Sequence, residues 1–465
     1  MTSTAAAPTG SADGSGGTPL VLPFEAVGIE AIPQVGGKNA SLGEMIRELA
    51  GQGVRVPGGF ATTATAYRHF IAAGALGEGL HRILAGLDGN DIAALQAAGA
   101  AARSLLLGTP LPADLETAIL EAYRHLGSPA VAVRSSATAE DLPDASFAGQ
   151  QETFLNVHGE AALLAACRRC YASLFTDRAI SYRQINGFDH VEVALSIGVQ
   201  RMVRSDLACS GVMFSIDTET GFREAVLLTA AYGLGETVVQ GAVNPDEYLI
   251  FKPTLEQGYA PIVGKRLGSK AIRMVYADSG HGSACDPSQP GASATRNVDV
   301  PEAERQRFAL RDDEALQLAR WACTIERHYS ARRGQPTPMD IEWAKDGESG
   351  ELFILQARPE TVESRRSASV LRTWQLDAGP GGGGAELLCR GRAIGASVSS
   401  GRARIIADPS QIQRFAPGDL LITERTDPDW EPILKLASGV ITNQGGRTCH
   451  AAIIAREMGI TAIVG

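Results

Sequence analysis

The chain has 465 residues, of which 44% are hydrophobic and 20% charged, and its net charge is −10. This length allows two or three domains with separate apolar cores, and the negative charge argues against general binding of nucleic acid or other polyanions. No apolar run approaches the roughly 20 residues that a membrane helix needs, so we expect no membrane partner. Seven cysteines, an odd number without repeated spacing, are typical of reduced thiols and predict a cytoplasmic protein.

The first residues are rich in Thr, Ser, Ala and Gly and lack the basic and apolar segments of a signal peptide. We therefore expect a disordered tail over residues 1–22. Beyond it, apolar residues recur at helical spacing after the pair Gly36 and Gly37. Lys38 follows this pair at the predicted start of a helix, where backbone N–H groups favour a phosphate. A solvated surface lysine is the alternative interpretation.

Residues 23–364 predict one mixed α/β domain, because short β patterns alternate with amphipathic helices. Its first polar motif follows the apolar run at 131–133, which would deliver Arg134 and several hydroxyl groups into a loop. The planar guanidinium fork suits phosphate oxygens. Small residues at 144–151 predict a flap that closes over phosphates and excludes water. An ordinary surface turn is the alternative.

The second polar motif is a hairpin of residues 340–345 and 351–358 around a turn at 346–350. We expect Lys345 to pair with Glu351, a register that places Asp340 opposite Gln356. Alternation then puts four polar side chains on one face: Asp340, Glu342, Gln356 and Arg358. Carboxylates are ligands that Mg²⁺ prefers and arginine balances polyphosphate charge, which predicts a Mg-ATP site. An exposed polar face with ordinary ion pairs is the alternative.

The glycine-rich stretch 365–388 cannot hold a packed element and predicts a mobile linker to a small β/α domain at 389–465. In that domain a strand at 440–442 and a glycine pair precede a helical pattern, with Thr448 as the expected N-cap. His450 would then lie in the first helical turn, where the helix dipole stabilises negative charge. A capping or packing histidine is the alternative, but strand, glycines and helix start together favour a phosphorylated imidazole.

The segment 448–452, Thr-Cys-His-Ala-Ala, resembles the phosphohistidine motif of the phosphoenolpyruvate-utilising enzymes, and most closely that of the phosphoenolpyruvate synthases (pyruvate, water dikinases). In that family the histidine transports phosphate between two distant sites, which implies this role for His450. Cys449 favours the synthases, since pyruvate, phosphate dikinases and rifampicin phosphotransferases usually have serine there. The resemblance extends over nearly everything from about residue 24 to Gly465, apart from the linker.

The resemblance implies an ATP-grasp-type nucleotide domain and a small swivelling β/β/α phosphohistidine domain, with ATP as substrate and Mg²⁺ as cofactor. Asp340 and Glu342 match the metal-side carboxylates of the family. Glu236, in the glycine-containing loop 233–239, is a further expected site residue. Nucleotide- or phosphate-binding roles are implied for five side chains: Lys38, Arg134, Glu342, Gln356 and Arg358.

In the implied reaction His450 attacks the β-phosphate of ATP and AMP leaves, after which water removes the terminal phosphate. The phosphohistidine then passes its phosphate to pyruvate, giving phosphoenolpyruvate. A swinging domain on a glycine-rich linker lets one histidine serve both sites. In bacterial relatives the threonine two residues before the histidine is the target of a regulatory kinase/phosphorylase, which implies this partner for Thr448; a plain N-cap is the alternative.

The family's pyruvate site lies in a further TIM barrel, and the 465 residues do not contain its sequence. We therefore expect the chain to cover the ATP and phosphohistidine half, with a truncated phosphohistidine domain. Such a chain would bind ATP and label His450 but would not complete turnover. Two alternatives stay open: another dikinase, of the rifampicin phosphotransferase or pyruvate, phosphate dikinase type, and a non-catalytic nucleotide-binding remnant. The oligomeric state, with a homodimer as one option, also stays open.

Overall fold

The computed structural model describes residues 18–87, 92–138, 141–142, 145–146, 153–185, 187–277, 294–360, 388–395, 397–447 and 449–465. Several sequence predictions lie outside these ranges. They are the tail up to residue 17, nearly all of the linker 365–388, most of the flap at 144–151, and Thr448.

The strands are β1 (Val21–Pro23), β2 (Gly59–Thr62), β3 (Val131–Ala137), β4 (Asp141–Leu142), β5 (Ala145–Ser146), β6 (Thr153–Val157), β7 (Leu195–Arg201), β8 (Cys209–Phe214), β9 (Ala225–Tyr232), β10 (Asp246–Phe251), β11 (Ile262–Arg266), β12 (Ile272–Tyr276), β13 (Thr295–Asp299), β14 (Met339–Lys345), β15 (Leu352–Pro359), β16 (Arg392–Ile394), β17 (Ala403–Ile405), β18 (Leu420–Thr423), β19 (Gly439–Thr442) and β20 (Thr461–Val464). The α-helices are α1 (Ile32–Leu49), α2 (Ala64–Ala73), α3 (Leu76–Leu84), α4 (Ile92–Leu107), α5 (Ala113–His125), α6 (Glu160–Ala172), α7 (Asp177–Ile185), α8 (Glu236–Val239), α9 (Lys252–Glu256), α10 (Glu302–Arg305), α11 (Asp312–Arg333), α12 (Glu431–Leu434) and α13 (His450–Met458).

The first sheet has the order β1-β2-β7-β3-β6 and is antiparallel throughout. Its apolar face packs against α2 to α6 in a core that includes Tyr67, Leu115, Leu163 and Val199. One boundary differs from the prediction. Val21 pairs with Thr62 in this sheet, so residues 21–22 belong to β1 and not to the predicted tail.

The second sheet, also antiparallel, has the order β11-β10-β9-β8-β14-β15. Alternation along β14 separates its faces, because Ile341 and Trp343 are buried in a core with α1 and α11 while Asp340 and Glu342 lie on the other face. The predicted apolar stripe of α1 is confirmed, since Leu42, Met45 and Leu49 are fully buried. This helix lies between the two sheets and brings them together.

The hairpin β14–β15 is confirmed, but its register differs from the prediction. Lys345 pairs with Leu352 instead of Glu351, which is a shift of one residue. A β-bulge after Glu342 adds a second one-residue shift, so Gln356 lies opposite Glu342 and Arg358 opposite Asp340. Each single shift would reverse the face on which the side chains lie. The two together keep the predicted polar side chains on one face.

Residues 389–465, called the mobile domain below, contain a five-stranded sheet of order β16-β20-β19-β18-β17. Strands β17 to β20 are parallel and β16 is antiparallel. Helix α13 connects β19 with β20, and His450 is its first residue. The N-cap is Cys449, with extended backbone angles, and not the predicted Thr448. Gly459 ends the helix in the left-handed region at φ 69°. Among the described helices, none is long and apolar enough to cross a membrane.

Candidate nucleotide and phosphohistidine site

Arg134 links the two sheets of residues 18–360, called the nucleotide domain below. It lies on β3 and is 8% exposed. Its guanidinium donates to Gln356 Oε1 at 3.1 Å, to Gln200 Oε1 at 2.8 Å and to the Leu355 carbonyl at 2.7 Å. Because the guanidinium has several donors in one plane, it can hold acceptors from different strands at once. The structure therefore brings the predicted residues Arg134 and Gln356 together.

The segment of α1 that contains Lys38 lies in close contact with β3. Gly36 interrupts α1 with φ 74°, and a Cβ there would lie 2.3 Å from Ser136 Oγ. Only glycine permits both the backbone conformation and this approach. Ser136 is two residues after Arg134 on β3 and therefore on the same strand face. The helix break thus brings the backbone on both sides of Lys38 against Ser136, two residues from Arg134.

Asp340 and Arg358 form an ion pair across the hairpin. Arg358 Nε lies 2.9 Å and Nη2 lies 2.8 Å from Asp340 Oδ2. Burial raises the pKa of Asp340, and the nearby carboxylates of Glu342 and Glu360 raise it further, against the opposing effect of Arg358. The site therefore has an excess of negative charge that a cation would relieve. Among the described residues, no group of three or more His, Cys, Asp or Glu side chains is placed to hold a metal alone.

Helix α8 covers this polar face. Its first residue, Glu236, follows the loop 233–235, and Val238 packs in a small buried cluster with Val212. Val212 pairs with Glu342 across β8 and β14, so the two side chains lie on the same face. Burial raises the pKa of Glu236, although a 2.8 Å hydrogen bond from Gln240 opposes the shift. The predicted loop residue Glu236 is therefore close to the polar face.

His450 has a defined hydrogen-bond partner. Its Nδ1 lies 3.1 Å from Thr426 Oγ1, and Thr426 is only 3% exposed. The preceding thiol, Cys449, is buried, which raises its pKa, while backbone N–H groups of the first turn of α13 oppose the shift. The imidazole therefore lies at the positive end of a helix with one ring nitrogen fixed by a buried hydroxyl.

The mobile domain contacts the nucleotide domain next to α8. Gly445 N donates to Asn244 Oδ1 at 2.8 Å. A Cβ at Gly241, which follows α8, would lie 2.6 Å from the Cβ of Cys449. The residue before His450 is therefore packed directly against Gly241, two residues after the end of α8, the helix that Glu236 begins. The structure thus brings the two groups of predicted site residues to one side of the nucleotide domain.

Three contacts were missed in the sequence. Gln200 holds Arg134, Thr426 holds His450, and Glu219 of the nucleotide domain binds Arg456 of the mobile domain. No local pattern distinguishes these residues, because each acts on a partner far away in sequence.

Two families match the sequence. Residues 32–375 match the family described as "Pyruvate phosphate dikinase, AMP/ATP-binding domain", and residues 415–465 match "PEP-utilising enzyme, mobile domain". The first match contains β3, α8 and the hairpin β14–β15, and the second contains Thr426 and α13. The predicted mixed α/β fold, an ATP-grasp-type domain followed by a phosphohistidine domain, is thereby confirmed.

Curated relatives cover nearly the whole chain. Phosphoenolpyruvate synthase from Synechocystis sp. is 61% identical over 458 residues, which are 96% of this chain and 54% of the relative. The enzyme of that name from Pseudomonas aeruginosa is 53% identical over 449 residues, 96% of this chain and 54% of the relative. The one from Escherichia coli is 52% identical over 455 residues, 97% of this chain and 55% of the relative. The chain thus spans about half the length of these relatives. With the site geometry and both matches in agreement, the chain belongs to the pyruvate phosphate dikinase AMP/ATP-binding family and has the mobile domain of the phosphoenolpyruvate-utilising enzymes.

Proposed function

We propose that the protein transfers phosphate from Mg-ATP to His450 and that the phosphohistidine then serves the synthesis of phosphoenolpyruvate from pyruvate, with AMP and phosphate as the other products. The observation that supports this most is the packing of Cys449, one residue before His450, against Gly241 beside the polar face of the nucleotide domain. The names of the relatives support the product. They also favour a synthase over a rifampicin phosphotransferase or a pyruvate, phosphate dikinase.

Within the nucleotide domain, different side chains have different roles. Lys38 and Arg358 supply positive charge for the polyphosphate. Arg134 adds charge and holds the Gln356 amide in place through its 3.1 Å hydrogen bond. Glu236 lies over the same face and adds a polar side chain on the opposite side of the bound nucleotide. Most of the rate enhancement would come from alignment and charge neutralisation, as in other phosphoryl transfers.

The polar face also fits a magnesium ion that arrives with the nucleotide. Asp340 and Glu342 are two neighbouring carboxylates, and the pKa of Asp340 is raised by its burial and, to a smaller extent, by the charge of Glu342. Mg²⁺ in nucleotide sites is commonly held by one or two carboxylates together with substrate phosphates and water. Bound there, it would neutralise charge that develops on the transferred phosphoryl group.

His450 would react as a neutral imidazole. When Nδ1 bears the proton and donates to Thr426 Oγ1, Nε2 has the lone pair that attacks phosphorus. The bond between the β-phosphorus and the α,β-bridging oxygen of ATP then breaks and AMP leaves. Water subsequently removes the terminal phosphate, which leaves one phosphoryl group on His450. The first helical turn of α13 stabilises the new negative charge.

Labelling with ATP that is radioactive in its β-phosphate tests this proposal. We expect acid-labile label on the wild-type chain and none on His450→Ala. His190→Ala, which alters a histidine of the first-sheet region of the nucleotide domain, is the control and should label normally. Absence of label on the wild type, or equal label on His450→Ala, would refute phosphate loading and leave a nucleotide-binding protein without turnover.

We also propose that Thr448 is a site of regulation. Thr448 lies two residues before His450, so a regulatory kinase/phosphorylase acting there would add negative charge beside the phosphohistidine and oppose loading. Mass spectrometry of protein from cells grown on different carbon sources tests this, and absence of phosphate on Thr448 in all of them argues against it. A cytoplasmic location and a homodimer stay predictions.

A further inference from the structure

The ion pairs between the two domains have one polarity. Among the described residues, three arginines of the mobile domain pair with three carboxylates of the nucleotide domain: Arg392 with Glu247, Arg447 with Asp217, and Arg456 with Glu219. All six side chains are between 5% and 24% exposed. Because every cation lies on the mobile domain and every anion on the nucleotide domain, the pairs favour this one docked arrangement.

Glu219 contacts two separate parts of the mobile domain. One carboxylate oxygen, Oε1, accepts from Arg456 on α13. The other, Oε2, accepts from the backbone N of Gly395, just after β16, at 3.1 Å. A carboxylate that binds two elements fixes both the distance and the orientation of the domain, whereas a single ion pair fixes only a distance.

Arg456 extends this contact to the residues before His450. Its Nη1 donates to the carbonyl of Arg447 at 2.6 Å. Arg447 lies in the loop between β19 and α13, three residues before His450. Glu219, Arg456 and the Arg447 carbonyl therefore form a continuous hydrogen-bonded path from the nucleotide domain to the loop that sets the position of the histidine.

Glu219 is itself held by its own domain. Asp217 Oδ1 accepts from Glu219 N at 3.3 Å, and Asp217 Oδ2 accepts from Thr220 Oγ1 at 2.7 Å. These bonds lie within the nucleotide domain and shape the turn after β8. Asp217 also pairs with Arg447, so the same turn holds both Asp217 and Glu219 at the contact with the mobile domain.

We infer that Glu219 is a positioning residue for phosphate loading: it holds the mobile domain so that His450 meets the nucleotide. This inference rests on the proposed function. A positioning residue can be told apart from one that only stabilises the fold. Loss of the Glu219 carboxylate should release the mobile domain and slow labelling, while ATP binding to the nucleotide domain stays intact.

Glu219→Gln is the test variant, and Glu224→Gln, which alters an exposed carboxylate five residues away, is the matched control. The first measurement is the rate of His450 labelling from ATP, and the second is ATP affinity by calorimetry. The third needs no ATP: alkylation of Cys449 by N-ethylmaleimide, followed by mass spectrometry. Cys449 is 2% exposed and packs both in the core of its own domain and against Gly241, so release should remove part of its cover. Exposed Cys389 and buried Cys209 are internal controls.

For Glu219→Gln we expect labelling to slow by about 10-fold or more, since breaking a largely desolvated charged contact weakens an interface at least this much. ATP affinity should stay within about twofold of wild type, and Cys449 should alkylate faster. Arg456→Lys, which cannot reach Glu219 and the Arg447 carbonyl with one planar group, should behave in the same way. Glu224→Gln should resemble wild type in all three measurements.

Unchanged labelling together with unchanged Cys449 alkylation in Glu219→Gln would overturn the inference. A parallel loss of ATP affinity would also overturn it, because the residue would then act on the nucleotide site. If the wild type takes no label, the proposed function fails, and alkylation alone decides the docking role: faster reaction of Cys449 in the variant supports it, and an unchanged rate refutes it.

Discussion

At the scale of single residues, the orientation of the His450 imidazole depends on a hydroxyl group. The 3.1 Å contact joins Thr426 Oγ1 to His450 Nδ1 and holds the ring in place. Because a hydroxyl can donate or accept, the contact fits either tautomer of the ring. The direction in which Nε2 points is therefore set by a residue from the loop after β18.

Replacement of Thr426 by valine tests this dependence. The shape of the side chain is kept and the hydroxyl is lost, so the ring loses its fixed orientation. We expect Thr426→Val to label His450 about 10- to 100-fold more slowly, by analogy with partners that orient catalytic or metal-bound histidines. ATP affinity, measured by calorimetry, should not change.

Thr426→Ser is the matched control, because it restores a hydroxyl at the same position. It should recover most of the labelling rate. Equal rates for the valine and wild-type proteins would show that the hydroxyl does not orient the imidazole.

At the scale of elements, α1 is the part on which both sheets converge, and a buried carboxylate fixes it to α11. Glu44 is fully buried and accepts from His328 Nε2 at 2.7 Å, from Arg332 Nε at 2.9 Å and from Ile29 N at 3.2 Å. Burial alone would raise the pKa of Glu44, but these hydrogen bonds outweigh it and lower the pKa. The ionised carboxylate therefore stabilises the packing that positions Lys38.

This network predicts a pH-dependent stability. A carboxyl with a lowered pKa in the folded state contributes its full stabilisation above the ordinary glutamate range of about 4–5 and loses it as the pH falls through the folded-state pKa. We expect Glu44→Gln to lower the free energy of unfolding by about 1–3 kcal/mol at neutral pH. In urea denaturation the difference from wild type should shrink as the solution becomes acidic.

Glu48→Gln, one turn further along α1, is the control because its side chain is 41% exposed. It should change the unfolding free energy by less than about 0.5 kcal/mol at any pH. A difference for Glu44→Gln that is constant between neutral and acidic pH would contradict the role of the ionised carboxylate.

Elements with a strong local pattern could be predicted from the sequence, and contacts between distant segments could not. The helix start at His450, the stripe of α1 and the hairpin β14–β15 follow from local periodicity and glycine positions. The partners Gln200, Thr426 and Glu219 lie 66, 24 and 237 residues from the side chains they hold. The hairpin register was wrong because a bulge depends on how neighbouring strands pack, which period-two alternation does not encode.

At the scale of the whole molecule, three ion pairs among the described residues join the two domains. The Debye length falls from about 10 Å at 0.1 M salt to about 3 Å at 1 M, so partly exposed ion pairs weaken as salt is added. The docked arrangement should therefore depend on ionic strength much more than the apolar cores of the separate domains do.

Small-angle X-ray scattering of the ATP-free protein can measure this dependence. We expect the radius of gyration to increase between about 0.05 M and 1 M sodium chloride as the mobile domain leaves its docked position. Sodium sulfate at equal ionic strength is a second arm, since it screens charge but strengthens apolar burial.

An increase in both salts would show that charge holds the docked state. An increase in neither would contradict the electrostatic contact. The Glu219→Gln variant should have a larger radius than wild type at low salt and should change less as salt is added.

The bulge in the hairpin β14–β15 has a consequence for how this site tolerates change in length. The turn and the bulge each offset the register by one residue, so the total offset is two. Because side chains alternate between the faces of a sheet, an even offset leaves Gln356 and Arg358 on the face where Asp340 and Glu342 lie. Whether the total offset is even or odd, more than the length of the hairpin, therefore decides whether Gln356 and Arg358 lie on the polar face or toward the apolar core. A sequence whose turn is one residue longer would need an insertion or deletion of one further residue in the hairpin to keep these four side chains on one face.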